Sequence, residues 1–341
     1  MDKILIIQTA FIGDVVLISP LIEAISDKYP KAKLYLLTTL EGKDIFERNP
    51  HIYNILSYDK RKRDKGLNHF IRIVKHIKKI KFDTAVIPHP SLRSSLIAYF
   101  AKIPYRVGFR GRIGAIFFNN KVSYPLEFHE VERNLQLAYA LGVKKKYRPL
   151  KIYISQDEKE FASKFFKENK ILEDDFLVGI NPCSVWPTKR WKPEGFAEVA
   201  DNFIKNLKAK IILLGGPKDK QIVEKVSNLM KEEAVLAVGK FNLRKLSAVL
   251  EKCKLFITND SGPMHIAMAM KTPTVAIFGP TTLAIGFGPY GEKYKVIEKK
   301  GLKCRPCSLH GPKRCPIGTF DCMNSITSEK VIMASKELFR T

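Results

Sequence analysis

The fold of this chain is decided by ten consecutive residues, Phe256-Ile257-Thr258-Asn259-Asp260-Ser261-Gly262-Pro263-Met264-His265. The apolar run that ends at Ile257 predicts a buried strand, and Gly262 and Pro263 suit the first turn of a helix. Asn259 and Asp260 offer side-chain oxygens that would cap this helix. Because the amide groups and the dipole of a helix N-terminus attract anions, we expect a phosphate-binding turn here, although a well-capped helix with no ligand explains these residues equally well.

The rest of the chain alternates between short apolar runs and amphipathic segments, a pattern typical of parallel α/β sheets with right-handed crossovers. In the first half we predict strands at residues 4–7, 33–37, 52–56 and 82–87, and helices at residues 15–29, 67–80 and 92–101. In the second half we predict strands at residues 176–180, 210–214, 234–238, 255–257 and 274–278, and helices at residues 156–169, 193–207, 219–230, 243–253, 264–270 and 327–339.

A length of 341 residues is long for one hydrophobic core and favours two domains. Between Lys144 and Pro149 the chain becomes basic and loses its periodicity, which marks the junction. We predict an N-terminal Rossmann-like domain at residues 1–150, a C-terminal Rossmann-like domain at residues 151–325 and a closing helix at residues 326–341.

The chain is strongly basic, with 59 Lys and Arg residues against 34 Asp and Glu residues. A net charge of +25 favours a polyanionic partner, which includes nucleic acid, an anionic membrane surface and phosphorylated substrates. No apolar run is long enough to span a membrane, and the first apolar run is interrupted by Gln8 and Asp14, so it predicts a strand rather than a signal peptide. We therefore expect a cytoplasmic protein that rests on the inner face of the inner membrane.

Two residues at predicted strand ends are candidates for chemistry. Asp14 follows the first strand, where its carboxylate serves either as the cap of the next helix or as a base that accepts a proton from a hydroxyl group, and both roles are compatible. Lys189 lies between a strand and a helix in the second half, so its ammonium group faces the same sheet edge as Asp260 and Ser261. A lysine beside a helix N-terminus would place two positive elements on one diphosphate.

Basic residues are concentrated in two parts of the first half. One run is Lys60-Arg61-Lys62-Arg63-Asp64-Lys65, and it leads into a basic helix. The other is a glycine-rich loop that contains Arg106, Arg110 and Arg112. Such runs are usually solvated surfaces, but these arginines also suit an acceptor that carries carboxylate or phosphate groups.

Four of the six cysteines cluster near the C-terminus, with the spacing Cys304-x2-Cys307-x7-Cys315-x6-Cys322. This spacing is compatible with a structural zinc site, with reduced thiols or with disulfides. We expect the cluster to be structural and to lie away from the reaction.

These motifs together resemble the bacterial lipopolysaccharide heptosyltransferases of glycosyltransferase family 9, most of all the heptosyltransferase II branch. The resemblance rests on Gly13-Asp14, on Lys189-Arg190-Trp191 and on the run from Thr258 to His265. It implies a GT-B fold, in which two Rossmann-like domains with parallel sheets face each other across a cleft. It also implies inverting transfer, without a catalytic metal or other cofactor, from ADP-L-glycero-D-manno-heptose to the lipopolysaccharide inner core, with lipid A-Kdo or heptosyl-Kdo as acceptor.

The resemblance also implies residue roles. The first domain binds the acceptor and the second binds ADP-heptose. Asp14 corresponds to the catalytic base, Lys189 to the lysine that holds the diphosphate, and Asp260 to a residue that contacts the sugar. The remaining donor-site residues implied by the resemblance are Ser184, Gly239, Ser261, Gly262 and His265.

One departure concerns the nucleotide. Some relatives carry a ribose-binding glutamate after the second-domain glycine turn, whereas this chain has Lys218 followed by Asp219. A family 9-like enzyme with another nucleotide sugar or acceptor is therefore the first alternative. A basic nucleic-acid-binding protein is the second, and it leaves Asp14 and the run from Asp260 to His265 without a role.

Overall fold

The structure is a computed structural model that describes residues 1–59, 64, 66–89, 91–111 and 113–338. The chain divides into two compact units, with the division between Tyr153 and Ile154. Within the described ranges each unit contains one six-stranded sheet whose strands are all parallel. None of the helices in those ranges is long and apolar enough to cross a membrane.

The first unit contains six described strands and six described helices. The strands are β1 (Lys3–Gln8), β2 (Lys33–Thr38), β3 (Asn54–Ser57), β4 (Thr84–Ile87), β5 (Tyr105–Phe109) and β6 (Asn120–Val122). The helices are α1 (Ile12–Val16), α2 (Ser19–Lys28), α3 (Leu40–Phe46), α4 (Leu67–Ile80), α5 (Leu92–Phe100) and α6 (Glu130–Tyr139), with a 3₁₀ turn at Ala115–Phe117. The order across the sheet is β3-β2-β1-β4-β5-β6.

The second unit repeats this plan. Its strands are β7 (Leu177–Asn181), β8 (Lys210–Gly215), β9 (Val235–Val238), β10 (Leu255–Asn259), β11 (Thr274–Phe278) and β12 (Tyr294–Glu298). Its helices are α7 (Gln156–Glu168), α8 (Pro193–Leu207), α9 (Lys220–Leu229), α10 (Leu243–Lys252), α11 (Gly262–Ala269), α12 (Asp321–Asn324) and α13 (Ser328–Glu337), with 3₁₀ turns at Pro187–Lys189, Pro217–Asp219 and Leu283–Ile285. The order β12-β11-β10-β7-β8-β9 is the same topology as in the first unit, counted from each unit's own first strand.

Both sheets are doubly wound, and in each the strand order reverses between the first and the fourth strand. These switch points lie between β1 and β4 in the first unit and between β7 and β10 in the second. Because ligands of open α/β sheets bind beyond the carboxyl ends of the strands at a switch point, the residues that follow β1, β7 and β10 occupy the positions expected of a site.

The central strands are apolar without alternation because helices cover both faces of each sheet. Residues 4–7 of β1 are fully buried, and so are residues 255–257 of β10. In β1, Leu5 is in register with Tyr35 of β2 on one side and with Ala85 of β4 on the other. The rigid sheet core therefore positions the polar residues that follow each strand.

The prediction of one continuous helix at residues 15–29 is wrong, because two helices, α1 and α2, occupy this segment. Pro20 has no amide hydrogen and its ring would collide with the carbonyl group of Val16, so a continuous helix cannot form. Pro20 lies instead in the first turn of α2. The first helix begins earlier than predicted, with Phe11 at its N-cap, so Asp14 lies inside its first turn and the capping role predicted for Asp14 is also wrong.

Several elements of the structure were not predicted from the sequence: α3, α6, β5, β6 and β12. Helix α6 is the most instructive, because it buries Glu130, Arg133 and Asn134 along with its apolar residues. Its buried face is therefore not an apolar stripe, and the 3.6-residue hydrophobic periodicity that indicates a helix is weakened. The closing helix predicted at residues 327–339 appears as α13.

Candidate active site

The side chain of Asn259, at the end of β10, fastens this strand to the loop that follows β7. Its Oδ1 accepts a hydrogen bond from the Trp191 amide at 3.0 Å, and its Nδ2 donates to the Pro182 carbonyl at 2.9 Å. Asn259 is completely buried. It therefore holds two strand ends together and does not cap α11, so the capping role predicted for Asn259 is wrong.

A second polar contact joins the same two strands. The Asn181 amide group at the end of β7 donates to Thr258 Oγ1 at 3.1 Å and to Ser261 Oγ at 3.2 Å. Thr258 Oγ1 and Ser261 Oγ are themselves 3.1 Å apart. Ser261 is the N-cap residue of α11, and its side chain points toward the strand ends, so the start of this helix is fixed against the sheet.

Lys189 and Asp260 form a buried ion pair beside the start of α11. Lys189 Nζ lies 2.6 Å from Asp260 Oδ2, and the two side chains are 11% and 9% exposed. Thr281 Oγ1 donates to the same carboxylate oxygen at 2.7 Å. The carboxylate of Asp260 thus orients the ammonium group of Lys189 and does not cap α11, which also corrects the role predicted for Asp260 from the sequence pattern.

Three of the other predicted donor-site residues of this unit lie near the ends of β7 and β10, and the fourth lies farther away. Ser184 Oγ donates to the Asp260 carbonyl at 3.4 Å, and His265 is buried one turn into α11. Gly262 is the first residue of α11. Gly239 follows β9, which lies at the edge of the sheet two strands from β7, and its amide donates to the Gly215 carbonyl at 2.9 Å.

In the first unit, Asp14 lies in the first turn of α1, directly after β1. The main chain at this position is in contact with the strand, since Gln8 Nε2 donates to the Asp14 carbonyl at 3.5 Å. An aspartate carboxylate in this position is of the kind that can accept a proton from a hydroxyl group.

A buried carboxylate that sequence reasoning missed lies near Asp14. Glu130, the first residue of α6, accepts hydrogen bonds at Oε2 from the Tyr124 hydroxyl at 2.6 Å and from Arg133 Nη1 at 3.2 Å. Burial raises the pKa of Glu130 to about 7, and the negative charge of Asp14 acts in the same direction. No local sequence signal distinguishes Glu130 from the exposed Glu127, because only the tertiary fold buries one and not the other.

The family model of glycosyltransferase family 9 (heptosyltransferase) matches residues 70–314, which is more than half of the chain. The chain belongs to this family. It is therefore a glycosyltransferase, and the α/β fold with two Rossmann-like sheets that the resemblance implied is confirmed.

Curated relatives and solved structures agree with this assignment. This family 9 glycosyltransferase is 29% identical to lipooligosaccharide heptosyltransferase 2 of Haemophilus influenzae over 295 residues, which covers 82% of this chain and 84% of that protein. A solved family 9 glycosyltransferase from Veillonella parvula matches with a TM-score of 0.90 and 27% identity, covering 100% and 98% of the two chains. The Escherichia coli ADP-heptose lipopolysaccharide heptosyltransferase II structure has a TM-score of 0.81 at 23% identity, covering 99% and 98%, and shows the shared fold.

The cysteine-rich segment of this glycosyltransferase, residues 304–322, does not lie where the sequence predicted. The expectation that it lies away from the predicted donor site is wrong, because Gly311 packs against the stem of Lys189. All six cysteines are free thiols. Within the described ranges, no group of three or more His, Cys, Asp or Glu side chains has an arrangement that could hold a metal ion, and the structural zinc considered for Cys304, Cys307, Cys315 and Cys322 stays a prediction.

The predicted acceptor-binding arginines have mixed outcomes. Arg61, Arg63 and Arg112 lie outside the described residues. Arg106 donates from Nε to the Phe117 carbonyl at 2.7 Å and from Nη1 to the Ile103 carbonyl at 2.5 Å, so its guanidinium group joins the segments that precede and follow β5. Arg110 is exposed. An acceptor role for these arginines stays a prediction.

Proposed function

We propose that this enzyme transfers heptose from ADP-L-glycero-D-manno-heptose to the inner core of lipopolysaccharide, with inversion and without a catalytic metal. The observation that carries the proposal is the buried Lys189–Asp260 pair beside the start of α11 at the β7/β10 switch point. The relatives support it, since the Haemophilus influenzae and Escherichia coli proteins are named as heptosyltransferases and the latter as an ADP-heptose enzyme.

The donor chemistry follows from charge. When ADP leaves, negative charge grows on the diphosphate. The ammonium group of Lys189 and the N-terminus of α11, with Ser261 and Gly262 at its start, supply positive charge for that leaving group. In this proposal Asp260 contacts the sugar, His265 and Ser184 complete the diphosphate turn, and Gly239 borders the nucleoside.

On the acceptor side, Asp14 takes the proton of the attacking hydroxyl group as the new glycosidic bond forms. A single displacement inverts the anomeric carbon and requires no nucleophilic carboxylate. The negative charge of Asp14 is one of the causes of the raised pKa of the buried Glu130, so the two carboxylates interact electrostatically.

A donor panel tests this proposal. We expect calorimetry to show that ADP and ADP-heptose bind, that UDP- and GDP-sugars bind at least about tenfold more weakly, and that only ADP is released with a Kdo-containing acceptor. Lys189→Ala should raise the dissociation constant of ADP by about a hundredfold, since a hydrogen bond to a charged group is lost, while Lys192→Ala, three residues away, should leave it nearly unchanged. Release of a different nucleotide would replace the ADP-heptose assignment with the alternative donor.

We also propose that the enzyme works in the cytoplasm at an anionic membrane surface, which its acceptor would share. Helix α4 exposes Lys75, Lys78 and Lys79, and the loop after β5 exposes Ile113 and Ile116, which are 76% and 80% accessible. Cationic and apolar side chains on one unit suit the interface of a bilayer that contains anionic lipid.

Vesicle sedimentation tests the membrane proposal. The protein should sediment with phosphatidylglycerol-containing vesicles and not with pure phosphatidylcholine. The double variant Ile113→Ser with Ile116→Ser should lose about tenfold in partitioning, because two exposed apolar side chains no longer enter the interface. Leu172→Ser is the matched control, since Leu172 is equally exposed, at 73%, in the second unit. Equal loss in the control would remove this surface from consideration.

A further inference from the structure

The stem of Lys189 rests against Gly311 of the cysteine-rich segment. A Cβ atom added to Gly311 would lie 3.2 Å from Lys189 Cγ and 3.3 Å from Lys189 Cε. The backbone of Gly311 is also left-handed, with φ of +82°. The added Cβ would also lie 3.3 Å from Pro280 Cγ, so Lys189 or Pro280 would have to move by a few tenths of an ångström to accommodate a side chain at position 311.

Two further contacts hold the turn that carries Lys189 against the same segment. Thr188 Oγ1 donates to the Pro312 carbonyl. The rings of Trp186 and His310 are stacked, with centroids 6.4 Å apart and an interplanar angle of 7°. Residues 310–312 thus contact the Lys189 turn at three successive points.

The other end of the segment holds the turn whose Thr281 contacts Asp260, the ion-pair partner of Lys189. Arg305, whose side chain is 5% exposed, donates from Nε to the Gly279 carbonyl and from Nη2 to the Thr281 carbonyl at 2.6 Å. It also pairs with Glu298 at 2.8 Å. Arg305 therefore fixes the turn after β11 from which Thr281 donates its hydroxyl group to Asp260.

A backbone contact reinforces this second attachment. The Cys307 amide donates to the Pro280 carbonyl at 2.8 Å, and Pro280 is the middle residue of the turn that Arg305 holds. One short segment thus contacts Lys189 directly and holds the turn whose Thr281 contacts Asp260, although it belongs to neither strand end of the switch point.

We infer that Arg305 and Gly311 are positioning residues for the anion site, so that the cysteine-rich segment acts as a clamp that sets where the Lys189 ammonium group stands. The inference rests on the proposed function only in taking Lys189 as the residue that binds the diphosphate. A preordered lysine loses less side-chain freedom when an anion binds, and it meets the anion in one geometry. The segment therefore contributes to donor affinity without touching the donor.

The test uses Gly311→Ala in the full chain, with inorganic pyrophosphate as the probe and isothermal calorimetry as the readout. We expect the dissociation constant to rise by about fivefold or more, because the new methyl group displaces the lysine stem. Gly318→Ala is the matched control: its φ is +78°, so the backbone strain is the same, and a Cβ there meets nothing within 4 Å. Equal loss in the two variants would overturn the inference.

A double-mutant cycle separates positioning from a general effect on folding. If Gly311 acts through Lys189, then Gly311→Ala should change pyrophosphate affinity little when Lys189→Ala is already present. Independent, additive losses would overturn the inference. Arg305→Lys, which keeps the charge and loses the fork of hydrogen bonds, should also weaken pyrophosphate binding, whereas the exposed Arg314→Lys should not.

Turnover kinetics separate positioning of Lys189 from a general structural effect, because a general effect would not change the KM for the donor alone. In Gly311→Ala the KM for the donor should rise by about fivefold while the KM for the acceptor stays unchanged. An equal rise of both would contradict a donor-site clamp. If the protein binds pyrophosphate but transfers no heptose from ADP-heptose, the proposed function fails, and the difference between Gly311→Ala and Gly318→Ala still decides the clamp.

Discussion

The two units have the same strand order, yet their switch points are built differently. In the second unit, Asn181 and Asn259 tie the ends of β7 and β10 together, and a buried ion pair lies beside an eight-residue helix. In the first unit, Asp14 stands in a five-residue helix after β1, with a buried glutamate near it. The same topology therefore places a buried lysine, held by hydrogen-bonded strand ends, in the second unit and a pair of carboxylates in the first unit.

This difference shows that strand order selects the location of a site and that the residues after the first and fourth strands select its chemistry. A lysine beside a helix N-terminus stabilises an anion. Two carboxylates near each other favour uptake of a proton. Each unit has its own hydrophobic core, so a substitution can change the residues at one switch point without disturbing the other unit.

The largest effect is expected for Asp14→Asn, which removes the proposed base and preserves its shape. Transfer should fall by about a thousandfold, since general base catalysis contributes on that scale, while calorimetry should show unchanged ADP binding. Asp27→Asn, in a surface ion pair with Arg148, is the control and should retain nearly full rate. Normal turnover by Asp14→Asn would remove the functional contrast between the units.

The substitution Asn259→Ala removes the hydrogen bonds that hold the ends of β7 and β10 together in the second unit. The change leaves the Trp191 amide and the Pro182 carbonyl without their buried partner, which should lower the free energy of unfolding by about 3 kcal/mol. Both tryptophans of the chain, Trp186 and Trp191, lie in the second unit, so urea unfolding followed by tryptophan fluorescence reports on that unit.

Asn206→Ala is the control for this measurement. Its amide group is exposed and donates to the Asn202 carbonyl within its own helix, so the loss should stay within about 0.5 kcal/mol. If Asn259→Ala unfolds at the same urea concentration as the wild type, the two hydrogen bonds of the Asn259 side chain do not contribute to the free energy of unfolding.

The carboxylate pair of the first unit can be examined through pH. The pKa of Glu130 is about 7 in the folded protein, above its ordinary value of 4.5. Between these two values the folded state keeps a proton that the unfolded state has released, so the stabilisation is present at low pH and is lost as pH rises through 7. Glu130→Gln should flatten this decline, because a glutamine at this position has no proton to release between pH 4.5 and 7.

Circular dichroism in urea measures this change, because a transition without a tryptophan signal belongs to the first unit. Glu127→Gln, an exposed neighbour in sequence, should leave the pH dependence as it is. A parallel pH dependence in wild type and Glu130→Gln would show that the glutamate does not carry the raised pKa.

Sequence reasoning succeeded where a local pattern has one physical meaning. The apolar strands β1, β7, β8 and β10 were predicted because a sheet covered on both faces requires continuous apolar runs. It failed at α6 and at β12, whose five residues are all half-buried, since partial burial leaves no clear periodicity. It also failed at the N-caps, because Asn259 and Asp260 have partners 68 and 71 residues away that no local pattern reveals.

The sequence by itself determined the alternation of strands and helices, the membership of glycosyltransferase family 9, and which polar residues follow which strand, because these depend on neighbours along the chain. Only the tertiary structure decided that Glu130 is buried near Asp14, that Lys189 is paired with Asp260, and that Gly311 of the cysteine-rich segment lies against Lys189. The physical reason is that burial and pairing depend on residues that are distant in sequence, so a pKa or a contact exists only once the chain has folded.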